Sequence, residues 1–187
     1  MLVVVPLCTL GAWFKKDKKA EQEKPKTIEM TRADLSAGSA LFFSLLSDEK
    51  NVSKLLLVKR EGDELDRLIN DIADVSKEAH KKLGQIGKEA GTDLENTHLP
   101  AAEVVTRDSI AREKAGNLLR LKGTAFENYL LSTQEEALTY GVHLARSLGK
   151  AETDVKSREF LARTEEALGI LRDRVSELMR KYRKEGK

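Results

Sequence analysis

The stretch LARTEEALGILRDRVSELMRKY, residues 161–182, decides the fold. Leu161, Thr164, Leu168, Leu171, Val175, Leu178 and Tyr182 alternate at spacings of three and four through three heptads. That period puts all seven on one helical face, the seam of knobs-into-holes packing. A seam this regular must bury itself against other helices, either in its own chain or in a partner.

Working back from that seam, the chain offers more helices of the same kind. Thr124 and Glu127 have the spacing of a capping box. The helix they would open carries Phe126, Leu130, Thr133, Ala137, Tyr140 and Leu144 as its apolar stripe, and Gly149 would close it. A weaker stripe over 101–121 includes Val104, Ala111, Ala115 and Leu118, with Pro100 placed for a first turn and Gly123 for a stop or kink. From Gly62-Asp63 to about Ala90, Leu65, Leu68, Ile72, Val75, Ala79, Leu83, Ile86 and Ala90 predict another helix. Gly91 would stop it in the left-handed conformation. The first helix is expected from about Arg32 to Glu61, started by Thr31 and Asp34, with Leu41, Leu45, Val52, Leu55 and Leu56 inward. Gly38 and the polar run Ser47–Asn51 are places where it could divide. No stretch alternates with period two, so strands are not expected. Long amphipathic helices with short connections predict an all-α, antiparallel four-helix bundle, with an extra helix before the third long one.

Composition agrees. Of 187 residues, 40 % are hydrophobic, 34 % charged and 5 % aromatic, with three prolines, which suits helices more than sheets. The net charge of +2 is uneven. KKDKKAEQEKPK, residues 15–26, holds six Lys against three acids, leaving 27 basic and 28 acidic side chains elsewhere. A nearly neutral body is a poor match to the basic stripe of a duplex-binding domain, so no nucleic-acid partner is expected.

Before that run, MLVVVPLCTLGAWF, residues 1–14, is apolar throughout. It is short for a membrane span but has the length of a signal-peptide core. Thr9-Leu10-Gly11 before Ala12 is a tolerable cleavage site. The four Lys that follow would by the positive-inside rule favour a cytoplasmic chain. Residues 1–14 are expected to be a signal or membrane tether, with a buried N-terminal segment of a cytosolic protein as the alternative, 15–30 a linker, and 31–187 the helical domain. The single cysteine, Cys8, excludes an internal disulfide.

Chemistry is thin. A di-iron bundle requires a Glu-x-x-His motif on each of two helices; here the only copy, Glu95 to His98, falls in a loop before Pro100. His80 sits on a helix edge among Lys77, Lys81 and Lys82. His143 adjoins core Leu144 and has Tyr140 and Thr139 where a carboxylate would be needed. Asp66, Asp71 and Asp74 are spaced as on a solvated face. No phosphate loop, nucleophile elbow or zinc-peptidase motif is present. No catalytic, cofactor-binding or metal residue is assigned, and the chain is expected not to be an enzyme.

INDIADVSKEAHKKLGQIGKEAGTDL, residues 69–94, with Leu83, Gly91 and Leu94 in register, resembles a bacterial envelope family of unknown function. Those proteins have a ferritin-like four-helix fold and are often described as predicted outer-membrane proteins. LKGTAFENYLL, with Gly123, Phe126 and Glu127, is similar to the family's Gly-x-x-Phe-Asp, although Tyr129 comes one position early. The resemblance covers about residues 40–180. It implies a ferritin-like bundle in the periplasm or envelope. The family's Asp-Asp-His is replaced by Asp74-Val75-Ser76, and its two later histidines would fall near Leu138 and Leu171, so no site carries over. The expected role is structural or interactive, with self-association or a protein partner through the last helix and a membrane tether at the N-terminus. The alternatives are a degenerate metal-binding bundle and a cytosolic coiled-coil adaptor.

Overall fold

A computed structural model describes residues 30–57, 59, 62–95, 99 and 101–185. The apolar segment 1–14, Cys8, nearly all of the linker and His98 lie outside the described residues. Five helices pack together: α1 Arg32–Glu49, α2 Asp63–Glu89, α3 Ala101–Arg120, α4 Gly123–Ala151 and α5 Val155–Lys184. A 3-10 helix, Val52–Leu57, follows α1, and there is no strand among the described residues. No helix among them is long and apolar enough to cross a membrane.

The helix ends follow local chemistry. Thr31 Oγ1 accepts from the Asp34 amide at 3.2 Å while the Thr31 amide donates to Asp34 Oδ2 at 2.9 Å, a closed capping box. At the end of α2, Gly91 has φ 66°. The Thr92 amide reaches Gly87 O at 2.8 Å and the Gly91 amide reaches Lys88 O at 3.2 Å, the paired bonds of a Schellman motif. Asp154 caps α5, its carboxylate accepting from the Ser157 amide at 2.8 Å.

Three expected helix boundaries need correction. The first helix stops at Glu49 rather than Glu61, and the polar run Ser47–Asn51 is the break, with Asn51 Nδ2 donating to Ser47 O. Its buried residues are Ala40, Phe42 and Leu46, one position off the predicted face. No capping box forms at Thr124: α4 begins at Gly123 with Lys122 as an uncapped N-cap, and Glu127 turns inward. Gly149 does not close α4, which continues to Ala151.

All seven residues of the α5 seam are buried. α5 lies between α4 and α2, and each pair runs antiparallel. Arg146 meets Glu165 and Glu135 meets Ser176 on one side. On the other, Asp71 meets Arg174 and Glu64 meets Lys181. α4 also runs antiparallel to α1. A Cβ at Gly38 would lie 2.8 Å from Leu148 Cδ2, and one at Gly141 would lie 3.2 Å from Leu45 Cδ2 and 3.0 Å from Leu168 Cδ1. At Gly141 three helices approach closely, and that side of α4 faces inward. Leu138, Gly141, Val142, Ala145 and Leu148 are buried, while Tyr140, a predicted core residue, is 48 % exposed.

α3 is the exception. Only Leu118 of its twenty residues is buried. It is held to the rest by Lys114 on Glu136 at 2.6 Å and Asn117 on the Tyr129 hydroxyl at 3.1 Å. Lys59 adds a third tie: its ammonium donates to the carbonyls of Leu118 and Leu121 and lies 4.7 Å over the Phe126 ring.

Candidate functional site

The groups able to do chemistry are the polar side chains that the packing encloses. Two have local explanations. Thr164 donates to Phe160 O at 2.9 Å within α5, and Ser157 sits in the α5 cap. Glu49, Gln134, Ser76 and Glu127 have none.

Glu49 is the last residue of α1, where the partial negative end of the helix disfavours an anion. The residue is half-buried, but its Oε2 is enclosed and finds no hydrogen-bond partner. Burial pushes its carboxyl up to about 7, and the charge of neighbouring Asp48 adds to this; a hydrogen bond from Gln134 of α4 and the Lys114 ammonium of α3 pull the other way. Gln134 is itself buried, with its Oε1 unpartnered. Burial also raises Asp48, opposed by Arg107 of α3. The C-terminal end of α1 is thus a carboxyl-bearing junction of α1, α3 and α4.

His80 stands beside it on α2. Its ring stacks on Phe43, centroids 3.9 Å apart and planes at 23°. Lys50 Nζ lies 3.1 Å from Nε2 and 3.4 Å from Nδ1. Burial lowers the His80 pKa, Lys50 lowers it further, and Glu95 opposes both. A neutral imidazole accepting from an ammonium has its lone pair in use, so His80 is a structural partner of Lys50. The sequence assigned its cationic surroundings to its own helix; the decisive cation comes from the end of α1.

The other singled-out residues do not converge. His143 and Glu95 are exposed, the Glu95 amide donating to Asp93 Oδ1 at 3.0 Å. Asp71 pairs with Arg174 at 2.7 Å and Asp74 is exposed. Asp66 encloses one carboxylate oxygen beside the 3-10 helix. Among the described residues no group of three or more His, Cys, Asp or Glu could hold a metal ion. Ser76, Leu138 and Leu171, the positions where the resemblance implies histidines, are all buried. The cross-helix pairs Asp71–Arg174 and Glu135–Ser176 place them within about one turn of the same level.

Sequence reading missed Glu49 and Gln134. The signal for Gln134 was its place between Leu130 and Leu138 at spacings of four. For Glu49 there was none, because its burial depends on α3 and α4. The chain matches no protein-family model, no curated protein and no solved structure.

Proposed function

We propose that this chain is a non-catalytic helical-bundle module of the bacterial cell envelope, ferritin-like in arrangement, tethered through its apolar N-terminal segment and acting by binding protein. The contacts α1–α2, α2–α5, α5–α4 and α4–α1, with α3 as the connection between two helix pairs, support the four-helix reading. The observation that carries the functional reading is the filling of the interior. Leu138 and Leu171 are 1 % and 3 % exposed at the level where a ligand set would need carboxylates and imidazoles, and Ser76 offers only a hydroxyl beside them. A leucine there contributes packing and no donor atom.

The test is elemental analysis of full-length protein from cells supplemented with iron and zinc, together with its distribution between envelope and soluble fractions. The expected result is no stoichiometric metal, and recovery with the envelope that depends on residues 1–14. A stoichiometric metal would replace this reading with the metal-binding one. Recovery in the soluble fraction regardless of residues 1–14 would favour the cytosolic adaptor.

A further inference from the structure

α3 turns one side to the chain and the other to water. Arg107, Lys114, Asn117 and Leu118, the buried or half-buried residues with partners in the rest of the fold, recur on one side. On the opposite side Ala101, Val105, Asp108, Arg112, Ala115 and Leu119 alternate at spacings of four and three, and every one is exposed. Val105 is 65 % exposed and Leu119 58 %. This is a second three-four seam, and no described residue of the chain covers it.

Its order is the same from either end in chemical terms. Alanine and leucine stand outermost, valine and alanine next, and an acid and a base at the centre. An antiparallel pairing about a twofold axis sets Ala101 against Leu119, Val105 against Ala115 and Asp108 against Arg112, each pair occurring twice. A parallel pairing would oppose Asp108 to Asp108 and Arg112 to Arg112, which like-charge repulsion forbids. Within one chain Asp108 and Arg112 approach only to 4.0 Å, with side chains 63 % and 82 % exposed, so both can turn to a partner.

We infer that α3 is a self-recognition surface, pairing antiparallel with α3 of a second copy through this seam. The inference rests on the protein-binding reading above and names its partner. The central pairs set direction and register, and the apolar pairs supply the burial. A twenty-residue helix is about 30 Å long. One helix face buries less than the roughly 800 Å² per partner of a standard interface, so a dissociation constant of about micromolar is expected.

The test is sedimentation of the full chain between about 1 and 100 µM, which brackets that affinity. The wild-type protein should dimerise across the range. Asp108→Arg and Arg112→Asp should each weaken the dimer by about tenfold or more, since each opposes like charges twice. The double exchange should restore it. Mixing the two single variants should give a heterodimer, because each supplies the charge the other lacks. Circular dichroism should be unchanged throughout. A wild-type monomer at the highest concentration, or a dimer indifferent to these exchanges, overturns the α3 pairing and leaves the protein-binding reading standing. A stoichiometric metal sinks that reading whatever α3 does.

Discussion

α5 and α3 both place residues at alternating spacings of three and four, yet one face is enclosed by its own chain and the other meets water. α5 presents Leu, Leu, Leu, Val, Leu and Tyr around a single Thr, and all are buried. α3 presents two alanines, a valine, a leucine and two charges. Burying a leucine contributes about 1.5–3 kcal/mol, an alanine far less. Periodicity therefore says that a helix has a face, while the size of the side chains on it decides which helix the core forms around. α3 is left with Leu118 and a few polar ties.

The sharpest way to break this contrast is Leu171→Ala in α5. Leu171 is 3 % exposed, so the truncation should cost about 2–5 kcal/mol, read as a lower denaturant midpoint at unchanged slope. An unchanged midpoint with a lost oligomer would show that the α5 seam serves a partner instead of the chain's own core.

A middle-sized effect is expected where α1, α3 and α4 join. The folded-state pKa of Glu49 is raised to about 7 from 4.5, so the folded protein holds this proton more tightly than the unfolded chain. Its contribution is full below about pH 4.5 and is lost as pH rises through about 7. Glu49→Gln carries no charge to bury and should gain about 3 kcal/mol over wild type at pH 9, with little gain at pH 4. His80 works the other way: its lowered pKa means stability is lost as pH falls below 6.5, in both proteins alike. Equal gains at the two pH values would show that the Glu49 carboxyl is not enclosed.

The smallest effect belongs to the outer face of α3. Leu119→Ser, at a side chain 58 % exposed, should change unfolding free energy by no more than about 0.5 kcal/mol in dilute protein, where any dimer has dissociated. A cost near that of Leu171→Ala would mean that the two helices are covered alike.

Features that depend on neighbours in the chain were readable from the sequence alone. The Thr31–Asp34 box, the left-handed stop at Gly91 and the whole α5 seam stand where their spacing puts them, because each is fixed within one helix or turn. Tertiary structure decided the rest. α4 carries two adjacent stripes of comparable apolarity, one through Thr133, Ala137 and Tyr140 and the other through Gln134, Leu138 and Gly141. The second faces inward, where a Cβ at Gly141 would stand only 3.2 Å from Leu45 of α1 and 3.0 Å from Leu168 of α5, so that a glycine suits the close approach, and that rotation takes Gln134 into the core. Glu49 is enclosed for a related reason: α1 ends where α3 and α4 meet, so its environment is built by residues more than fifty positions away in the chain. Local spacing fixes a helix and its faces; which face is dry depends on the side chains that other helices bring to it.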